Sequence, residues 1–226
     1  MTVVTFALPQ ESGEFRRALR AAGGHFAGEE VRVFHVGVGP SASAARMRKL
    51  LITERPRTLI CAGFAGGLDA RVRTGDLVIA DNFSVAELRA RALAVTGEKP
   101  HRFFGALVSR ELPVETVAAK TALAQFTGAL AVDMETATVA ECCRSAGVAH
   151  LAVRAISDGA STPLPVPFAE WFDLRRQRPR PWRLTKFLAT HPGRLFPFAH
   201  FVRDLAPARR ALGNFLTRFL AQPPGV

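Results

Sequence analysis

Along the first two-thirds of the chain, short apolar runs alternate with segments whose apolar positions recur three and four apart. The runs at 3–8, 31–36, 58–62, 76–80, 105–109, 129–132 and 150–156 are rich in branched or small side chains. That is the length and composition of buried strands. Between them lie segments of helical period. One spans 14–22 and is stopped by Gly23-Gly24. A second is capped by Ser41 or Ser43 and runs to Leu51, and a third is the basic stretch ELRARALAV. A fourth covers 115–125, and a fifth covers 134–146 with Gly147 as its stop. The glycines at 63, 66 and 67 read as a turn too small for ordinary side-chain packing. Strands alternating with helices predict an α/β fold with a mixed central sheet flanked by helices.

The pattern changes after Ser161. TPLPVPF leads out of the α/β region, and Pro179, Pro181, Pro192, Pro197 and Pro207 punctuate the remainder of the chain. Between these prolines Leu195, Phe198, Phe201, Val202 and Leu205, then Leu212, Phe215, Leu216, Phe219 and Leu220, keep helical spacing. The division predicted is an α/β domain over 1–161 and a basic amphipathic helical extension over 162–226.

Charge sharpens that division. The chain carries a formal +11, and residues 171–226 hold eleven cations against only Asp173 and Asp204, a net +9. Such asymmetry points to an anionic surface as partner, nucleic acid or acidic lipid. Without an aromatic-basic RNA-binding module, nucleic acid ranks low. Nothing reads as a membrane span or a signal peptide. Cys142 and Cys143 are adjacent and Cys61 is alone, so no disulfide framework is expected, which suits a reducing cytoplasm. No His/Cys spacing suits zinc, and no metal is expected.

The candidate chemistry lies in ALAVDMETATVAECCRSAGVAHLAVRAISDGAS, residues 129–161. Read as two parallel strands joined by a helix, it brings Glu135 and Asp158 to one crevice at the strand ends. Two carboxylates in one pocket make a catalytic arrangement. Each also has a structural reading, Glu135 as a helix-dipole partner and Asp158 as an N-cap.

DMETATVAECC followed by VRAISD resembles the family-I nucleoside phosphorylases and the related methylthioadenosine/adenosylhomocysteine nucleosidases. CAGFAGGLDARVRTGDLVIAD and the opening VVTFALPQESGEF are similar to two further signatures of that family. The resemblance covers roughly 1–161 and implies cleavage of a purine N-glycosidic bond. It implies that Asp158 gives a proton to the departing base, with Ser157 orienting it. Glu135 then binds the ribose hydroxyls, Met134 packs under the sugar, and the turn of Phe64, Ala65 and Gly66 lies beneath the ribose. Relatives often carry a hydroxyl residue where Phe64 stands, so the pocket here should be greasier. Glu11 matches the carboxylate that activates water in the nucleosidases, whereas a phosphorylase would need cations there, with Arg46, Arg71 and Arg73 as candidates. Asp133 is expected to be solvated or structural, and His35 and His101 to be non-catalytic.

The 82–104 connection is shorter than in relatives, which implies an open 5′ side. The tail RPRPWRLTKFLATHPGRLFPFAHFVRDLAPARRAL resembles that of the hopanoid-associated phosphorylase subgroup, which acts on adenosylhopane. That resemblance implies a lipid-linked nucleoside substrate and peripheral contact with an anionic membrane. No cofactor is implied beyond inorganic phosphate as co-substrate, and relatives are homo-oligomers. The alternatives are a methylthioadenosine/adenosylhomocysteine hydrolase and a non-enzymatic α/β nucleic-acid-binding protein.

Overall fold

The computed structural model describes residues 1–97 and 100–223. Its framework is a nine-stranded mixed sheet. Four parallel strands form the centre: β1 (Thr2–Phe6), β3 (Glu29–His35), β4 (Thr58–Gly67) and β9 (Ala149–Asp158). The short β2 (His25–Phe26) extends one edge. On the other side β5 (Leu77–Ala80) runs antiparallel to β9 and carries β6 (Arg102–Gly105). Apolar helix stripes cover both faces. One face packs Phe15 and Leu19 of α1 (Gly13–Ala21) and Leu88 of α3 (Ala86–Ala94). The other packs Met47 and Leu50 of α2 (Pro40–Glu54) and Val139 and Cys143 of α5 (Thr136–Ser145).

The sequence-predicted 63–67 turn is instead the continuation of β4, which pairs with β9 from Thr58 to Gly66. β1 covers the opposite edge of β4 only as far as Cys61. Beyond that, β8 (Ala131–Asp133) takes the edge at Gly66 and Gly67, with β7 (Leu107–Ser109) alongside it. From Ala62 to Ala65 this edge of β4 carries no strand among the described residues. β8 runs antiparallel to β4, and therefore to β9, so the predicted parallel pair flanking α5 is corrected. The reason is long-range: β8 docks on the free upper edge of β4, on the side away from β9. The run at 105–109 likewise divides into β6 and β7.

The helix at 40–54 is not capped by Ser41 or Ser43. Gly39 caps it with φ +85°, where a side chain would be strained, and Pro40 supplies the first turn. Ser43 instead donates back to the Gly39 carbonyl at 2.9 Å.

Beyond β9 come α6 (Phe168–Trp171), a small ribbon of β10 (Phe172–Asp173) and β11 (Arg178–Pro179), α7 (Pro181–Thr190), and α8 (Leu195–Ala221). Pro197 and Pro207, expected as breaks, both lie inside α8. Pro197 sits in the first turn, where a proline costs little. At Pro207 the helix survives because its second half is held in the core, where Leu212, Phe215, Leu216 and Phe219 pack with Phe15, Leu151 and Val153. α7 and the first half of α8 bury no residue at all, and Trp182 and Phe196 are 79% and 80% exposed. Among the described residues no helix is long and apolar enough to cross a membrane.

This asymmetry along α8 sets a measurable contrast. Phe219→Ala should cost about 3–5 kcal/mol through its cavity, while Phe196→Ala should stay within about 0.5 kcal/mol. Urea unfolding of the two variants compares them.

Candidate active site

The strandless stretch of β4 opens into a cavity of about 520 Å³, within the range usual for small-molecule sites. Glu11, Phe64, Ala65, Gly66, Met134, Glu135, Ser157 and Asp158 all line it. The eight site residues expected from the sequence are therefore together. His35, Arg46, Arg71 and Arg73 are not among the lining residues. Arg71 is paired with Asp69 at 2.7 Å, and Arg46 reaches the His35 carbonyl at 3.4 Å.

Glu11 sits in the loop after β1 and is buried. Its Oε2 accepts the Leu8 N–H at 2.9 Å, and its Oε1 accepts the Phe64 N–H at 3.0 Å. The second bond stands in for the missing strand on the edge of β4. Burial raises the Glu11 pKa, opposed by these backbone donors and by Arg154. A carboxylate so tuned is better placed to take a proton from water than an exposed one.

Glu135 is the residue before α5, and its Oε1 accepts the Gly39 N–H at 2.7 Å. The Val38 N–H is likewise taken, by Gln177 Oε1 at 2.7 Å. The GVG turn thus spends those donors inside the protein and is a tight connection, with no free cradle at Val38 and Gly39. Burial first, and then the nearby Asp133, push the Glu135 carboxyl up to about 8.

Asp133 is structural and fully enclosed, which corrects the solvated alternative. Its Oδ2 pairs with Arg154 at 2.7 Å, each side chain 1% exposed. Its Oδ1 takes the Ser109 hydroxyl at 2.5 Å, and Thr136 donates both its N–H and its hydroxyl. Arg154 donates to Thr136 Oγ1 at 2.8 and 3.0 Å and to Cys61 Sγ at 3.2 Å. Burial works against the guanidinium charge, but Cys61 and the carboxylates of Asp133, Glu135 and Glu11 raise its pKa overall. Gly63 is the residue that makes room: a Cβ there would collide with Arg154 and sit 3.2 Å from Glu11 Oε1.

Asp158 ends β9, where the register against β4 slips by one residue between Ala65 and Gly66. This bulge leaves Ser157 unpaired and turns Asp158 into the cavity. Ser157 Oγ donates at 2.5 Å to Asp158 Oδ1 and lies 3.2 Å from the Ala65 carbonyl. Asp158 Oδ2 is ion-paired with Lys120 of α4 (Val117–Thr127). Lys120 and Arg154 are the two residues the sequence reading missed. Arg154 belongs to the R-x-I-S-D string, so a signal was present. Lys120 is a single lysine among alanines and leucines, which reads as exposed.

The outer cavity is apolar. Leu164, Phe168, Trp171 and Phe172 face it from the 162–173 segment, and Phe201 and Leu205 from α8. Phe168 and Trp171 meet edge-to-face at 4.4 Å.

The Phosphorylase superfamily model matches residues 6–90 and 83–178. The chain belongs to the phosphorylase superfamily. It is therefore an enzyme of that group, and the match takes in every cavity-lining residue but Pro179, Phe201 and Leu205. Among curated relatives, the 5′-methylthioadenosine/S-adenosylhomocysteine nucleosidase of Shewanella halifaxensis is 25% identical over 66% of this chain and 76% of its own length. That of Marinomonas sp. is 26% identical over the same shares. Among solved structures, the nucleosidase of S. pneumoniae with the transition-state inhibitor MT-ImmA superposes with a TM-score of 0.71 at 20% identity, covering 98% of this chain and 99% of that one. Futalosine hydrolase of Helicobacter pylori gives 0.69 at 18% identity, covering 96% of each chain. These superpositions establish the shared fold.

The buried charges have two measurable consequences. Arg154→Met strands Asp133 without its partner and should cost about 3–5 kcal/mol in urea unfolding. For Glu135, the folded-state value of about 8 lies above the ordinary 4.5. The folded protein thus holds a proton there that the unfolded chain releases, and stability falls as pH rises through that window. Calorimetry should show a declining Tm across it, with a flatter profile for Glu135→Gln.

Proposed function

We propose that this protein hydrolyses the N-glycosidic bond of an adenosyl-type purine nucleoside carrying a hydrophobic 5′ substituent. The observation that carries the reading is the pairing of Glu11 and Asp158 in one cavity, each with a distinct environment. Asp158 protonates the base at N7 as the C1′–N bond breaks, since a purine anion is a poor leaving group. Glu135 accepts the ribose hydroxyls and, in its charged form, favours the oxocarbenium-like sugar. Glu11 takes a proton from the water that attacks C1′.

Water is preferred over phosphate on electrostatic grounds. Glu135 holds its proton up to about pH 8, which leaves Glu11 beside a guanidinium already engaged by Asp133 and Thr136. A phosphate dianion beside that group would meet net repulsion in a poorly screened site. The names of the relatives, nucleosidases and a hydrolase, support the same choice.

Phe168, Trp171, Phe172, Phe201 and Leu205 support the hydrophobic 5′ group. Adenosylhopane, to which the tail resemblance points, is one such substrate. α7 and the first half of α8 carry exposed Trp182, Leu195 and Phe196 among Arg183, Lys186 and Arg194. That mixture suits peripheral contact with an anionic bilayer, from which such a substrate would come. The second reading is a methylthioadenosine/adenosylhomocysteine nucleosidase, favoured by the curated relatives.

Adenine release should proceed at the same rate with and without phosphate, and strict phosphate dependence would convert the reading to phosphorolysis. Asp158→Asn should lower kcat by on the order of 10²–10⁴-fold. Turnover of 5′-alkyl against 5′-methylthio nucleosides separates the two substrate readings: a lower kcat/KM for the alkyl series would leave the nucleosidase standing.

A further inference from the structure

Lysine is among the residues least often fully buried, and then only with a partner. Yet α4 buries one residue completely, and it is Lys120, at 0% exposure. Its neighbours on the helix are alanine, threonine and leucine, so nothing on α4 itself compensates the charge. The compensation comes from β9 and the turn beyond it. Lys120 Nζ is ion-paired with Asp158 Oδ2 and donates to the carbonyls of Gly159 and Thr162, each at 2.8 Å. An ammonium has three N–H donors. All three are spent on one carboxylate and the backbone that carries it. With Ser157 holding Oδ1 at 2.5 Å, both oxygens of Asp158 are fixed while the residue still faces the cavity.

We propose that Lys120 is the positioning residue of the proton donor, holding the Asp158 carboxyl in line with the leaving base and neutralising the carboxylate formed when its proton departs. This rests on the nucleoside-cleaving reading above. In the step, the C1′–N bond breaks and its electron pair goes to the purine. The Asp158 O–H bond also breaks: its proton bonds to purine N7, and its electron pair remains on the carboxylate. Lys120 keeps its three protons and faces the new negative charge. The ion pair in the structure is that of the carboxylate state, which a proton from solvent resets after the base leaves. Because Lys120 acts on leaving-group departure alone, its effect should follow the proton demand of the leaving group.

The experiment compares a purine nucleoside with p-nitrophenyl ribofuranoside, whose leaving group departs without a proton. Lys120→Met should lower kcat on the purine nucleoside by ~10²-fold or more, leave KM within a few-fold, and leave the nitrophenyl substrate within a few-fold of wild type. The double variant with Asp158→Asn should be no slower than Asp158→Asn alone, since the lysine works through that carboxyl. Equal losses on both substrates, or multiplying losses in the double variant, would overturn the proposal. If Lys120→Met does not fold, Lys120→Ala is assayed with added propylammonium. Restored purine release by the amine but not by propanol supports the assignment, and equal effects of the two overturn it. A readout independent of turnover separates this from failure of the nucleoside reading. In ¹³C-aspartate-labelled protein, with Asp158→Asn locating the signal, the Asp158 carboxyl resonance should move when Lys120 is replaced. An unmoved resonance overturns the coupling whatever the substrate proves to be.

Discussion

The guanidinium of Arg154 stands against three buried carboxyl groups, those of Glu11, Asp133 and Glu135, and the inner half of the molecule is arranged around that contact. Asp133 is its direct partner at 2.7 Å, while Glu11 and Glu135 feel it through space. A charged group this deep is tolerated only when paired and hydrogen-bonded, and Thr136 and Cys61 complete the set. Because Asp133 and Thr136 flank Glu135, holding Arg154 also fixes where α5 begins. Gly63 on β4 lets the guanidinium pass close to the sheet. The ion pair thus ties β8, α5, β4 and β9 into one geometry, and the carboxyl groups lining the cavity are placed by it.

The open edge of β4 is the complementary device. β1 and β8 approach the same edge from opposite ends and leave Ala62 to Ala65 between them without a strand. A backbone N–H left in such a gap must find another acceptor. At Phe64 it finds Glu11, so the interruption that creates the cavity also anchors the group placed in it. The bulge at Ser157 does the same on the opposite side of β4, trading one ladder pair for an inward-pointing Asp158.

Much of this was legible in the residues. The strands of branched side chains and the helices between them predict the fold class, and the family resemblance of four strings names the eight residues that line one cavity. The features that escaped were non-local. The direction of β8 depends on which edge of β4 lies free, and three residues of sequence carry no record of that. Lys120 was invisible because a lone lysine in an alanine-rich helix has the same pattern whether it faces solvent or a carboxylate. The prolines of α8 misled for a related reason. Local breaking tendency predicts an interruption, while core packing of Phe215 and Phe219 holds the helix together.

α8 also has a mechanical side. Its second half is clamped in the core, and its first half, which supplies Phe201 and Leu205 to the cavity wall, is unclamped. Between them stands Pro207, which offers no N–H to the carbonyl of Arg203. One rod therefore joins a buried base to a less buried arm across a missing rung. Any bending force on the arm, from a bulky guest or a contacting surface, would be relieved at that rung.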